Sequence, residues 1–444
     1  MKRISNFFIA FLVIITGLWL IADSLVPSPF TYFSFRTVFI QYSGVIGIAV
    51  MSVAMLLALR LKWLEPYLGG LDKMYRLHKW LGITALVITV LHWWFAKGTK
   101  WMVGWGWLVR PKRGQHGGEA LGYIEGVFRS QRGLAESIGE WAFYAAVILI
   151  ILALIKRFPY HLFAKTHKLL AVAYLFLVFH SVVLTKFAYW SQPIGWLLAT
   201  LMLGGTIAAF IVLMGRVGKN NKVKGVIDSL TYYEALRVLE GRVILEQGWQ
   251  GHEAGQFAFV TSDKNEGAHP YTIASAWNPD DLSMTFITKA LGDHTSRLHK
   301  HLEIGMTVTV EGPYGCFTFQ DTPPHQIWVG AGIGITPFIA RLKELAKVPG
   351  KKKIDLFHTT MDFDQFAIDK LTADAEAAGV SLHILVDRKD GLLNGEAIRN
   401  AVQSWQSASI WFCGPPAFGQ ALRKDFIAQG FSDSHFHQEL FQMR

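Results

Sequence analysis

Four histidines in two apolar stretches carry the most specific chemistry in the chain: His78 and His92, then His167 and His180. An ionisable side chain inside a membrane is costly and marks a site that binds something. A helix rises 1.5 Å per residue, so offsets of 14 and 13 residues put the members of each pair about 20 Å apart along their helix. Two such helices running the same way can each lend one imidazole to an iron at two depths. The pattern therefore reads as two b-type haems, His78 with His167 near one membrane face and His92 with His180 near the other. A satisfied core histidine explains one such residue but not matched spacing in two helices. His161 is a rival ligand, yet its offset of 19 from His180 has no counterpart in the other helix, and His116 falls in a polar loop.

The elements that must position these residues follow from hydropathy. Of 444 residues, 51% are apolar and 17% charged, and the apolar excess is concentrated before residue 215. Uncharged apolar runs occupy 7–22, 37–59, 80–96, 141–155, 169–185 and 194–214. A crossing takes about 20 residues, so the fourth run is expected to reach back past Glu140. The first run follows Lys2 and Arg3 and is read as an uncleaved helix rather than a signal peptide. Basic residues set orientation. Lys2 and Arg3; Arg60, Lys62, Lys73 and Arg76; Lys156, Arg157 and Lys165; and Arg216, Lys219, Lys222 and Lys224 mark the cytoplasmic side. The long loop with Lys97, Lys100, Arg110, Lys112, Arg113, Arg129 and Arg132 obeys that rule weakly. The expectation is an integral, multi-pass protein of a bacterial-type plasma or inner membrane, its soluble half cytoplasmic.

Arg76 and Lys165 are candidates to neutralise propionates of the inner haem. Arg36 and Lys186 are candidates on the outer side, for propionates or an anionic acceptor. Anchoring at the membrane interface explains each of the four equally well. His92-Trp-Trp-Phe with Trp101, Trp105 and Trp107 reads as an interfacial aromatic belt that also caps the outer haem. The net charge of +10 does not imply nucleic acid, because the basic residues flank apolar segments and form no stripe with interleaved aromatics. Two cysteines, Cys316 and Cys413, are too few for a four-cysteine iron–sulfur cluster or a disulfide framework.

Residues 219–224 read as a polar linker. From 225 to 318 short alternating segments (242–245, 256–261, 283–288, 307–310) predict a small antiparallel barrel. From 325 onward, strand-like stretches at 326–330, 353–358, 381–386 and 409–413 alternate with helical ones, which predicts a parallel sheet with helices on both faces. The first of these strands opens into Gly330-Ala-Gly332-Ile-Gly334-Ile-Thr336-Pro337, a turn that lets backbone approach a pyrophosphate at a helix N-terminus.

Several motifs are more specific. His269-Pro270-Tyr271-Thr272-Ile-Ala-Ser275 resembles the flavin motif of the ferredoxin–NADP reductase superfamily, in the form used by NADPH oxidases and ferric reductases. The resemblance implies that Tyr271 lies against the isoalloxazine, that Thr272 hydrogen-bonds near its reactive nitrogen, and that His269 stands where an Arg often serves the pyrophosphate. Lys289-Ala-Leu-Gly292-Asp-His294-Thr295-Ser296 resembles the second flavin motif, whose amides and hydroxyls hold FAD phosphates at a helix start. Glu311-Gly-Pro-Tyr-Gly315 resembles the family's close of the barrel. Cys413-Gly414-Pro415 resembles the nicotinamide-side motif, with the Cys near the hydride path. In His437-Gln-Glu-Leu-Phe441, Phe441 fits the aromatic that stacks on the flavin and must move for nicotinamide, although Gln442, Met443 and Arg444 follow it. After the third strand, Asp387 resembles NADH-type members and would repel a 2′-phosphate, while Arg388 argues the other way, so NADH is favoured over NADPH.

The resemblance to the NADPH oxidase and ferric reductase family implies a six-helix transmembrane bundle (1–218), an antiparallel β-barrel FAD domain (225–318) and an α/β parallel-sheet NAD(P)H domain (325–444). It implies electron flow from cytoplasmic NAD(P)H through FAD and two b-type haems to an external acceptor, either O2, giving superoxide, or a ferric complex. Two other readings stand beside it. One is an electron-donor subunit for a separate periplasmic redox partner; the other is a non-enzymatic membrane scaffold.

Overall fold

The computed structural model describes residues 1–109, 122–155 and 157–440. It divides into two units, 1–61 with 73–217 and 62–72 with the chain from 218 onward. Among the described residues six helices are long and apolar enough to cross a membrane: Lys2–Ala22, Tyr32–Leu57, Leu71–Trp93, Tyr123–Leu154, Tyr160–Leu184 and Pro193–Leu213. They are called the first to sixth spans. The fourth is far longer than its apolar run. Its first turns carry Arg129, Arg132 and Glu136, where Arg132 Nε lies 3.1 Å from Glu136 Oε1 in an i,i+4 pair, a contact that supports helix without apolar burial.

The second span is the most enclosed, with Val45–Val50 largely buried. Its Ser52 Oγ lies 2.8 Å from the Tyr174 hydroxyl of the fifth span. Beyond the third span the chain makes a π-turn at Trp94–Gly98, which leaves carbonyls without their usual partners. Arg36 supplies them: Nε donates to Phe95 O (2.8 Å) and Nη2 to Ala96 O (3.0 Å). Lys186 donates to Asp23 Oδ2 at 2.9 Å. Arg36 and Lys186 therefore hold helix ends and loops together.

The second unit contains two sheets. In the first, β1 (Lys222–Tyr233), β2 (Val238–Leu245), β3 (Phe257–Thr261), β4 (His269–Thr272), β5 (Ser283–Lys289) and β6 (Thr307–Tyr314) are ordered β4-β3-β6-β1-β2-β5, every pairing antiparallel. Its two edges meet just past β4, where Ile273 bridges Phe286 and Ala274 N donates to Thr285 O at 2.8 Å. β1 begins inside the stretch read as a linker, because Lys222–Val226 pairs with β6 while its lysine side chains face outward or stay at the edge.

The second sheet is parallel throughout. It comprises β7 (His325–Ala331), β8 (Lys353–Thr360), β9 (Ser381–Val386), β10 (Ala408–Cys413) and β11 (Phe436–Gln438), ordered β11-β10-β7-β8-β9. Trp328, Leu356 and Trp411 pack one face with Phe338 and Leu342; Ile327, Val329, Ile410 and Phe412 pack the other with Phe426. Such two-faced burial is why these strands read as nearly continuous apolar runs. The segment 62–72, expected within the membrane domain, clusters instead with the second unit. It folds as a short turn, Lys62–Leu64, and a helix, Glu65–Leu68.

Candidate functional site

The structure brings His78 together with His167 and His92 with His180. Their ring centroids lie 5.8 Å and 6.4 Å apart, with interplanar angles of 62° and 76°. A metal-bound imidazole nitrogen sits about 2 Å from the ion, so two imidazoles on opposite sides of one iron have centroids about 6 Å apart. Both pairs match that spacing.

Backbone and side-chain oxygens orient the rings. His78 Nδ1 lies 2.9 Å from Ala54 O and His180 Nδ1 2.8 Å from Ala135 O. A carbonyl only accepts, so both Nδ1 atoms carry the proton and leave Nε2 as the basic nitrogen. His92 Nδ1 lies 3.0 Å from Ser43 Oγ, whose own hydrogen goes to Phe39 O at 2.6 Å. That hydroxyl accepts from His92, which fixes the same tautomer. Among the described residues His167 Nδ1 is buried without a hydrogen-bond partner, and its ring stacks on Phe163 at 5.0 Å. Gly139 makes room for the His180 ring: a Cβ there would fall 1.9 Å from His180 Nδ1. Arg76 is half-buried and Lys165 exposed.

In the second unit, His269 and His294 stack face to face, 3.8 Å apart and 7° from parallel. Burial, helped by the neighbouring His294, pushes His269 down to about 4. The lone pairs of stacked rings lie in parallel planes, so these two imidazoles are poorly set to converge on one metal, although Glu266 stands within reach of both. Glu266 is itself engaged, 3.3 Å from Arg297. Pro270 and Tyr271 lie on β4 opposite Phe259 and Ala258, and Thr272 and Ser275 are buried. Ser275 Oγ accepts from Thr285 N at 3.1 Å.

The second flavin motif folds as a turn. Thr295 Oγ1 accepts from Leu291 N (3.0 Å) and Gly292 N (3.1 Å), and Ser296 N donates to Gly292 O (2.9 Å). The segment is a self-closed turn around His294, followed by a helix of four residues, Leu298–His301. Lys289 Nζ lies 2.8 Å from Asp362 Oδ2. It lines a cleft together with Gly332, Ile333, His358, Thr360 and Asp362.

Beside that cleft the glycine turn meets the end of β10. A Cβ on Gly334 would fall 2.2 Å from Cys413 O, and one on Gly414 2.7 Å from the Ala331 methyl. Only glycines allow this approach. Gly330 O accepts from His358 Nδ1 at 3.0 Å. Thr336 Oγ1 donates to Ile333 O at 2.8 Å and Pro337 opens the helix Thr336–Lys347. Cys413 is fully buried, and burial raises its thiol well above the ordinary range; it is held as a thiol, not as a nucleophile. Pro415 precedes the helix Pro416–Ala428. Asp387 Oδ1 accepts from Thr359 Oγ1 at 2.7 Å, while Arg388 is exposed. Phe441 lies outside the described residues. Sequence reasoning passed over Glu65, Asp72 and Glu439, all buried in this unit. Glu439 sits inside a motif already singled out; Glu65 and Asp72 look like ordinary polar-connector residues.

Comparison with known proteins gives two family matches. The family described as "Ferric reductase like transmembrane component" matches residues 43–178, which include His78, His92 and His167, with His180 two residues beyond. The family described as "FAD-binding domain" matches residues 237–318. The anthranilate 1,2-dioxygenase electron transfer component of Acinetobacter baylyi is 23% identical over 198 residues, 42% of this chain and 57% of that protein. Respiratory burst oxidase homolog protein E of Arabidopsis thaliana is 28% identical over 233 residues, 46% of this chain and 24% of that protein. The chain thus spans little more than half the length of the first relative and a quarter of the second. A flavohemoglobin structure from Malassezia yamatoensis covers 72% of this chain and 88% of its own at 16% identity, with a TM-score of 0.46.

Proposed function

We propose that this integral, multi-pass membrane protein, a ferric reductase-like transmembrane component joined to an FAD-binding domain, is an oxidoreductase that moves electrons across the membrane. The donor is cytoplasmic NAD(P)H, with NADH favoured; the acceptor lies on the outer face and is O2 or a ferric complex. The cytoplasmic placement of the FAD and nucleotide modules rests on the basic residues flanking the spans. FAD and two b-type haems supply the electron-carrying chemistry. Residues 225–318 are read as the FAD module, its antiparallel sheet closed as a barrel through the Ile273–Phe286 bridge, and 325–444 as the nucleotide module.

The observation that carries this reading is the geometry of the two histidine pairs, at 5.8 Å and 6.4 Å. Three of the four imidazoles have Nδ1 committed to an oxygen, so Nε2 is presented as ligand. His78 and His167 would hold one haem; His92 and His180 the other. Held by these four imidazoles, the haems would supply electron transfer rather than O2 binding. On the donor side, the glycine turn beside Cys413 lets backbone reach the nucleotide pyrophosphate. Asp387, held by Thr359, offers a carboxylate to a ribose diol and opposes a 2′-phosphate, which supports NADH.

The test is anaerobic addition of NADH to the purified, FAD-loaded protein while the haem spectrum is recorded, followed by O2 or a ferric chelate in separate cuvettes. The expected result is low-spin b-type haem that reduces with NADH and reoxidises with an acceptor. Haem that stays oxidised while the flavin bleaches refutes the transmembrane path.

A further inference from the structure

The parallel sheet carries a polar chain at the end opposite its glycine turn. His325 opens β7, Asp355 and His383 lie near the starts of β8 and β9, and Ser404 stands in the turn before β10. His325 Nε2 lies 2.7 Å from Asp355 Oδ2, and His383 Nε2 lies 3.0 Å from Asp355 Oδ1. The other nitrogen of His325, Nδ1, lies 2.8 Å from Ser404 Oγ. His325 and Asp355 are 4% and 6% exposed, whereas Ser404 is open to solvent. A strand rises about 3.3 Å per residue, so the length of β7 puts His325 about 20 Å from the glycine turn.

The direction of each hydrogen bond follows from its acceptor. A carboxylate only accepts, so His325 Nε2 carries the proton that goes to Asp355. In the neutral ring Nδ1 is then a lone pair, and Ser404 Oγ donates to it. His383 donates to the second carboxylate oxygen, and its ring stacks on Phe357 at 4.4 Å, so Asp355 is held at both oxygens. Ser404 precedes the turn Trp405–Ser407 yet places no side-chain cap on it; its hydroxyl is directed to His325 instead. A hydroxyl whose proton lies on a base, with that base oriented by a third group, is the arrangement that turns a weak nucleophile into a strong one. Ile327 and Phe357 are paired with Asp355 and His383 across the sheet. Apolar neighbours of that kind would fill the space without the desolvation that a buried carboxylate and imidazole incur.

We propose that Ser404 is an acyl-accepting nucleophile, with His325 as its base and Asp355 as the positioning residue for that ring. The donor is an activated acyl compound: a thioester, an acyl phosphate or an aryl ester. Ser404 Oγ bonds to the acyl carbon, the bond from that carbon to the leaving group breaks, and the Ser404 proton passes through His325 Nδ1 to the leaving group. The amides of Trp405 and Ser407 already donate to Val402 O and Ser404 O, both at 3.2 Å, so neither serves an oxyanion. The site therefore takes an acyl group from a donor with a good leaving group and turns over unactivated esters poorly. It is independent of the electron-transfer reading above.

The test is p-nitrophenyl acetate added to the purified full-length protein, with an acid quench and peptide mass spectrometry. Ser407 is the internal reference: it is exposed as well, and its Oγ donates to Ser404 O at 3.0 Å rather than to a base. No Lys or Arg separates the two serines, so one tryptic peptide reports both. A positioned general base is worth about 10²–10⁴-fold, so Ser404 is expected to acetylate about a hundredfold faster than Ser407. His325→Gln should bring Ser404 down to the rate of Ser407. Equal rates at the two serines of the wild type overturn the proposal, as does a His325→Gln protein with wild-type FAD content and wild-type acetylation of Ser404. Should that variant fail to fold, wild type unfolded in guanidinium decides: the two serines should then acetylate alike, and a preference for Ser404 that survives unfolding overturns the role of the base.

Discussion

Replacing Gly139 by Ala tests the His92–His180 pair without touching a proposed ligand. Gly139 lies on the fourth span one turn after Ala135, whose carbonyl holds His180 Nδ1 at 2.8 Å. The His180 ring therefore lies over a helical turn that must be bare. A Cβ at 139 would meet Nδ1 at 1.9 Å, Cε1 at 2.5 Å and Cγ at 2.6 Å. Ordinary contact is about 3.5 Å, so the ring must retreat from 1.9 Å by roughly 1.6 Å. That breaks the Ala135 bond and far exceeds the ±0.2 Å or so over which metal–ligand distances hold. Overpacking of this kind costs about 1–3 kcal/mol, which a bundle of six spans can absorb without unfolding. The expected outcome is loss of the His92–His180 haem with the His78–His167 haem retained. The assay is the haem-to-FAD ratio by pyridine haemochrome, with the visible spectrum: about two in wild type and about one in the variant. Gly44→Ala is the control, because its Cβ would stand 3.4 Å from His92 Cε1 and both haems should remain. A Gly139→Ala protein with two low-spin haems refutes the reasoning.

Removing a ligand directly should act in the same sense. His92→Ala or His180→Ala loses the outer haem while NADH still reduces the flavin, and loss of both haems from either change contradicts the pairing. Asp387→Ser removes the carboxylate that Thr359 holds, and the NADPH-to-NADH ratio of kcat/KM should rise by about tenfold or more; an unchanged ratio removes the case for NADH. Acid should destabilise the FAD-free protein. His269 stays neutral in the fold down to about 4, against an ordinary 6.5, so the unfolded chain takes up the proton first. The stability this contributes is complete above pH 6.5 and is lost as pH falls toward 4. His252, His294 and His358 are pushed down by burial as well, so His269→Gln should flatten only part of the fall in thermal midpoint. An identical pH slope in that variant refutes the assignment.

The fold was legible wherever burial is symmetric enough to leave a pattern. β7 and β10 are buried on both faces and announce themselves as apolar runs that lead into a glycine. β11 has three residues and no periodicity to find; it exists because β10 offers it an edge. The fourth span was half legible. Apolar composition marks only 141–155, while the turns from Tyr123 are helical through ordinary propensity and the Arg132–Glu136 pair, which hydropathy does not register. Arg36 and Lys186 were legible as charges but not as partners. Arg36 has its guanidinium spent on carbonyls that the π-turn at Trp94–Gly98 frees, and no sequence rule foretells a π-turn there.

The site divides along the same line. His78, His92, His167 and His180 stand out because a membrane makes a polar residue conspicuous and a helix fixes its spacing. The glycines of the nucleotide turn stand out because backbone approach excludes every side chain, as Gly334 against Cys413 O shows. Glu65 and Asp72 had no such background. A carboxylate in a polar connector is unremarked until the fold brings Gly315 and Leu440 to it from 250 and 368 residues away. Residues that touch a cofactor are constrained by its chemistry, which is the same in every protein that binds it. Residues that hold the chain around it are constrained only by this chain's own path, so they become visible once that path is drawn.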